Sequence, residues 1–262
     1  MIDIHSHILP FVDDGSRDME TSIEMAKIAA EEGIKYIFAT SHYIENEGYN
    51  DKKSNKEILD KLNKEILEQN IDIKVLLGHE VYITPNIIDL IEDEKISLLG
   101  NSDYLLMELP MAQIPIYLED IIYELKLKGV TPIIAHPERY REVKKNPNIL
   151  RKFIELGALM QVNLGSLIGY YGEDIAKTSK ILVSHNMIHF VGTDSHSLNR
   201  RPPRAKQAIK VLNEILPKEK VIDLIENNPM NIVNNIEIEA SETMEYKEKK
   251  GFKSIFQNMF KK

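Results

Sequence analysis

Seven short runs of apolar, β-branched and aromatic residues alternate with helical patterns along the chain, and this alternation limits the fold more than any other feature. The runs lie at residues 1–7, 34–40, 73–77, 104–107, 131–135, 159–163 and 188–191. Between them the apolar period shifts to that of a helix. Met19, Ile23, Ala26 and Ala30 form one face, Ile58, Leu62 and Ile66 a second, and Ile87, Ile88 and Ile91 a third. The same pattern predicts helices over 116–128, 149–156, 175–183, 204–215 and 221–226, the last two preceding Asn228-Pro229. Ser16 is placed to cap the first helix, and Gly33 to end it. Such alternation gives a parallel α/β sheet, and short connections favour a barrel. An open doubly wound sheet is the alternative, but no glycine-rich dinucleotide turn follows the first strand. At 43% hydrophobic and 28% charged residues, the chain can bury a substantial core.

In α/β barrels chemistry gathers at the C-terminal ends of the strands. His5, His7, His42, Glu80, Glu108, His136, Asp194 and His196 all fall there. Alternate side chains of a strand share a face, so His5 and His7 point the same way. Buried ionisable groups are costly unless paired or metal-bound, and their joint placement after six separate strands points to a metal centre. The chain has no cysteine, which excludes disulfides, thiolate zinc sites and cysteine nucleophiles. It also has no Gly-x-Ser-x-Gly elbow and no Gly-x-x-x-x-Gly-Lys loop, so serine-hydrolase and P-loop readings lack their motifs. A net charge of −8 argues against general nucleic-acid binding. With no signal peptide and no apolar run long enough for a bilayer, the expected location is cytoplasmic.

The ordered motifs His5-Ser6-His7, Asp13-Asp14-Gly15, Thr40-Ser41-His42, Gly78-His79-Glu80, Met107-Glu108, His136-Pro137-Glu138-Arg139 and Gly192-Thr193-Asp194-Ser195-His196 resemble the polymerase-and-histidinol-phosphatase (PHP) superfamily. Within it the pattern looks most like the manganese-dependent bacterial protein-tyrosine phosphatases of capsule and exopolysaccharide operons. The resemblance implies a distorted (β/α)7 TIM-like barrel, here residues 1–238, followed by a tail over 239–262. It also implies up to three divalent ions. His5, His7, Glu80 and Asp194 would hold the first, with Glu80 bridging to a second completed by Glu108 and His136; Asp14, His42 and His196 would hold the third. Imidazole and carboxylate donors suit manganese, with iron or zinc as alternatives. Histidinol-phosphate phosphatases often carry histidines where Asp14 and Glu108 stand, which argues against that substrate.

Four carboxylates against three divalent ions leave a positive site that attracts a phosphate dianion. Attack in line by a metal-bound hydroxide would need no phosphoenzyme. Arg139 and Arg201 are the expected phosphate clamps, with Arg200 and Arg204 as substitutes for Arg201 and surface pairing with acids such as Glu138 as the rival reading. Asp14, His42 and His196 lie where they can influence proton transfer, and the spacing does not choose among them. His79, His185 and His189 read as structural.

From Lys247 onward six lysines accompany one glutamate, and Phe252, Ile255, Phe256, Met259 and Phe260 recur at helical spacing. This basic amphipathic segment suits an anionic membrane surface or a membrane-bound kinase, or equally packing against the barrel. The function expected is hydrolysis of phosphotyrosine on a bacterial tyrosine kinase that controls polysaccharide synthesis. The rivals are a histidinol-phosphate or other small-molecule phosphatase, a metal-dependent nuclease, and a non-catalytic docking scaffold.

Overall fold

Residues 1–240 and 242–248 are described by the structure, a computed structural model. The strands β1 (Ile2–Ser6), β2 (Tyr36–Tyr43), β3 (Lys74–Tyr82), β4 (Tyr104–Glu108), β5 (Thr131–Ala135), β6 (Leu159–Asn163) and β7 (Phe190–Gly192) form one parallel sheet in sequential order. A bridge between Ser6 and Ser195, with His7 N–H donating to Ser195 O at 2.8 Å, brings the outer strands together. The result is the nearly closed α/β barrel that the alternation predicts. Its helices are α1 (Met19–Glu31), α2 (Lys52–Glu68), α3 (Ile87–Glu92), α4 (Leu118–Leu127), α5 (Arg141–Lys145), α6 (Ile149–Glu155), α7 (Leu164–Leu167), α8 (Glu173–Ser184), α9 (Lys206–Ile215), α10 (Lys218–Ile222) and α11 (Asn228–Val233).

The two faces of the sheet bury different things. One packs Val81, Leu105, Met107, Ile134 and Val162 against helix residues such as Ile121, Leu125, Phe153 and Leu182. On the other, Phe38, Leu106, Ile133, Leu159 and Phe190 cluster with Ile232 of α11. Side chains two residues further along each strand share that second face. There the sequence turns polar: Phe38 is followed by Thr40 and His42, Leu106 by Glu108, and Leu159 by Gln161 and Asn163. An apolar plug thus fills one end of the barrel and the polar cluster stands on it. Register fixes the partners, since His42 pairs with Glu80 and Tyr82 with Glu108.

Several boundaries differ from the sequence reading. Asp18, not Ser16, caps α1, its carboxylate accepting from Thr21 N–H at 2.7 Å, while Ser16 Oγ donates to Asp18 O. β2 and β3 continue through His42 and Glu80, because ladder hydrogen bonds carry on where the apolar signal stops. β7 starts at Phe190, leaving His189 just before it rather than inside it. Asn228-Pro229 does not follow the last helix but opens α11, where a first-turn proline loses no needed N–H. The described part of the tail lies against the barrel. Met244 N–H donates to His185 O at 2.9 Å, and Tyr246 N–H to Asn148 Oδ1 at 2.8 Å. Phe252, Ile255, Phe256, Met259 and Phe260, which carry the amphipathic pattern, lie outside the described residues. Among those described, no helix is long and apolar enough to cross a membrane.

Tyr140 ties the ends of β4 and β5. Its buried hydroxyl donates to Ala135 O at 2.7 Å and accepts from Leu109 N–H at 2.9 Å, next to His136 and Glu108. Tyr140→Phe orphans a buried N–H and should cost about 1–3 kcal/mol. Denaturant unfolding checks this, and an unchanged midpoint would show that the brace carries no stability.

Candidate functional site

Six strand ends and one loop deliver the cluster. β1 brings His5 and the adjoining His7, β2 His42, β3 Glu80 and β4 Glu108; His136 follows β5, Asp194 and His196 follow β7, and Asp14 lies in the loop after β1. His136 and Asp194 adopt left-handed backbone conformations, with φ of 33° and 50°. Neither is glycine, so the turns that aim them are strained, as is common where geometry serves a site.

Glu80 stands at the centre. Its Oε2 lies 3.2 Å from His5 Nε2, 3.3 Å from His7 Nε2 and 3.1 Å from His42 Nδ1, and its Oε1 lies 2.9 Å from His136 Nε2. Glu108 comes within 3.5 Å of His136 Nε2 and 3.8 Å of His42 Nδ1. Asp194 Oδ1 is 3.6 Å from both His5 and His7 and 3.3 Å from His196 Nδ1. Asp14 Oδ1 is 3.3 Å from His196 Nε2 and 3.6 Å from His42 Nε2. All nine residues expected to act as ligands therefore meet in one cluster. Three overlapping sets have donor atoms close enough to share an ion: His7, Asp14, His42 and His196; His5, His7 and Glu80; and His42, Glu80 and Glu108.

The donor chemistry fits divalent cations. His5 Nδ1–H donates to Gln161 Oε1 at 2.9 Å and His7 Nδ1–H to Asp13 Oδ2 at 2.8 Å. Each ring then presents its Nε2 to the centre, and the two nitrogens are 3.3 Å apart. Outer hydrogen bonds of this kind fix the tautomer of a ligating imidazole. Among the described residues, Glu80 Oε2, His42 Nδ1, His136 Nδ1 and His196 Nε2 are buried without a hydrogen-bond partner. Grouped in one cluster, such atoms have lone pairs free for a ligand.

The electrostatics agree. Burial opposes the charging of His5, but Glu80 and Asp194 outweigh it and push the imidazole up to about 9. Burial likewise opposes ionisation of Glu80, yet His5, His136 and His7 hold its carboxyl well below the usual range. Glu108 is pushed up, first by burial and then by the charge of Glu80. Divalent ions bound among these groups would supply the positive charge that so many buried carboxylates call for.

Two arginines border the cluster. Arg139 Nη1 lies 3.4 Å from Asp194 Oδ2, and its guanidinium sits 5.2 Å from the Tyr171 ring centre. Arg201 reaches Asp194 Oδ1 at 3.4 Å and Asp14 Oδ2 at 3.5 Å. Glu138 does not pair with Arg139; it turns inward to accept from Asn163 N–H and Ser166 Oγ. Arg200 and Arg204 are exposed and form no ion pair with the cluster. His79 is held between Asn55 and Ser97, and His185 Nδ1–H donates to Ile181 O, both outside the cluster.

Sequence reasoning missed the residues that orient the cluster: Asp13, Gln161, Asn163 and Tyr171. Asn163 Nδ2 donates to Asp194 Oδ2 at 2.7 Å and Gln161 Nε2 to Asn163 Oδ1 at 2.9 Å. A signal was present, since Gln161-Val162-Asn163 repeats at a strand end the polar alternation of His5-Ser6-His7. Tyr171 had none. Asp13 accepts from His7 Nδ1–H and His42 N–H through Oδ2 and from Gly15 N–H through Oδ1. Burial opposes its ionisation, but His7 and these donors hold its carboxyl far below the usual range. Asp13→Asn replaces one acceptor oxygen with a donor and should cost about 1–3 kcal/mol. A depressed carboxyl stabilises the fold above about pH 4 and loses that contribution on acidification. The variant should therefore show a shallower acid limb in thermal unfolding; an acid limb equal to that of the wild type would refute the role.

The family described as capsular polysaccharide synthesis, CpsB/CapC, matches residues 1–234. The tyrosine-protein phosphatase YwqE of Bacillus subtilis is 39% identical over 227 residues, covering 87% of this chain and 89% of its own. The putative tyrosine-protein phosphatase CapC of Staphylococcus aureus is 34% identical over 252 residues, covering 96% and 99%. A solved chain from the work on YwqE of Bacillus subtilis and CpsB of Streptococcus pneumoniae, described as unique metal-dependent tyrosine phosphatases, superposes with a TM-score of 0.91 at 37% identity. The match covers 94% of this chain and 100% of that one.

Proposed function

This chain belongs to the CpsB/CapC family, and from that premise we propose that it is a metal-dependent protein-tyrosine phosphatase, a phosphoric monoester hydrolase acting on phosphotyrosine. The observation that carries the reading is the convergence of four imidazoles on the buried Glu80 carboxylate, with two guanidinium groups facing the same cluster.

His5, His7, Glu80 and Asp194 would hold one ion, Glu80 with Glu108 and His136 a second, and Asp14, His42 and His196 a third. This division departs from the tightest donor sets, in which His7 joins the third group, His42 joins Glu80 and Glu108, and Asp194 and His136 do not appear. Manganese is our assignment, and the same donors accept iron or zinc. Divalent ions in such a cluster supply Lewis acidity and lower the pKa of water. Arg139 and Arg201 bind and orient the phosphate, their forks matching its oxygens once substrate displaces them from Asp194. Tyr171 offers its ring to the Arg139 guanidinium at 5.2 Å, a cation–π contact that helps hold it in place. Asp14, His42 and His196, at the outer edge of the cluster, lie where they can influence proton transfer to the departing phenolate. The lack of cysteine excludes a phosphocysteine intermediate, and hydrolysis by water needs no phosphoenzyme.

The substrate we assign is a phosphotyrosine of a bacterial tyrosine kinase in polysaccharide synthesis, which places the enzyme in the cytoplasm, where such kinases meet ATP. The lysine-rich pattern of residues 247–262 supports contact with an anionic membrane face.

Phosphate release from a phosphotyrosine peptide and from histidinol phosphate, each with manganese and with chelator, tests the reading. The peptide should be turned over only with manganese, and Arg139→Ala and Arg201→Ala should each lower kcat/KM by about a hundredfold. Turnover confined to histidinol phosphate would overturn the substrate, and turnover undiminished by chelator would overturn the metals.

A further inference from the structure

Between α5 and α8 runs a groove of about 470 Å³ lined by Arg141, Lys144, Lys145 and Lys177. All four cations are exposed, and none forms an ion pair among the described residues. Two carboxylates, Asp174 and Glu248, share the lining, so cations are in excess in a chain whose net charge is −8. No part of the cluster described above uses these residues.

The groove's two helical walls follow directly, along the chain, the segments that carry Arg139 and Tyr171. Arg141 opens α5 two residues after Arg139, and Asp174 stands in the first turn of α8, three residues after the Tyr171 ring that supports Arg139. α8 packs against both α5 and the turn that carries Arg139. Both walls therefore begin within three residues of Arg139 or of the Tyr171 that it packs on. We propose that this groove docks an acidic segment flanking the phosphotyrosine of the protein substrate; the inference rests on the phosphotyrosine reading. A helix rises 1.5 Å per residue, so Lys144 and Lys145 stand about 5–6 Å beyond Arg141, or about two residues of extended peptide. Acidic side chains within about five residues of the phosphotyrosine then reach the cations. A narrow concavity with carboxylates of its own suits an extended chain better than a planar lipid surface does. Potential complementarity of this kind selects partners and weakens with salt.

The test compares the wild type with the K144E/K145E/K177E variant. Anisotropy of labelled phosphotyrosine peptides with acidic or neutral flanks reads binding, and hydrolysis of the same peptides and of free phosphotyrosine reads turnover. The wild type should bind the acidic peptide about tenfold more tightly than the neutral one, a preference that shrinks with added salt and appears in KM rather than kcat. The variant should lose that preference while hydrolysing free phosphotyrosine at the wild-type rate, with an unchanged unfolding temperature. The neutral K144A/K145A/K177A variant should fall between the two. Equal affinity of the wild type for both peptides, or a preference retained by the variant, would overturn the groove. So would loss of binding to phosphatidylglycerol vesicles in the variant with peptide affinity intact, which would assign the patch to lipid. Groove-dependent binding of the acidic peptide without turnover of any phosphotyrosine substrate would uphold the groove and refute the phosphatase reading instead.

Discussion

A single buried carboxylate with four imidazole rings closing on it sets the terms for the rest of this molecule. Glu80 is 1% exposed, and its two oxygens lie within 3.3 Å of nitrogens from His5, His7, His42 and His136. Glu108 and Asp194 crowd the same space. Left to itself such a cluster pits desolvation against mutual repulsion among like charges, and protons partly relieve it. Divalent ions relieve it more completely, because each neutralises two charges and accepts lone pairs that have no other partner. The folding cost of the site and its capacity for chemistry thus have the same origin.

The barrel makes that concentration of charge tolerable. Strands that carry Phe38, Leu106 or Leu159 on the inner face turn polar two to four residues later, so the apolar plug and the cluster are built by the same strands. Outer hydrogen bonds then hold the rings still. Asp13 fixes His7, Gln161 fixes His5, and Asn163 fixes Asp194. Close packing leaves no slack beneath them. A Cβ on Gly192 would stand 2.8 Å from the His5 Cβ, so the last strand passes the first at a distance only glycine permits. The same rim carries Arg139 and Arg201, whose guanidinium groups lie 3.4 Å from Asp194.

Much of this was legible before any coordinates. The strand–helix alternation disclosed the barrel, and side chains at strand ends disclosed eight cluster members, because period and position decide which face and which end a residue occupies, while Asp14 came from the family resemblance alone. What stayed hidden depends on contacts between distant segments. The continuation of β2 and β3 through His42 and Glu80 is a matter of ladder hydrogen bonds, which composition does not reveal. Asp13 was visible as a motif residue, but its bond to His7 needs the loop to fold back over β1. Short helices such as α5 and α7 have too few residues to show a period. α11 escaped because Pro229 reads as a stop when its position in the first turn is not known.

The account stands on the claim that this cluster exists to hold metal ions. Its most direct test is metal content by inductively coupled plasma mass spectrometry, after the protein has been saturated with manganese and desalted, alongside a Glu80→Gln variant. The account predicts about three manganese ions per wild-type chain and a loss of at least the two that Glu80 would bridge in the variant. Less than one ion per wild-type chain, or a variant that retains the wild-type content, would contradict it.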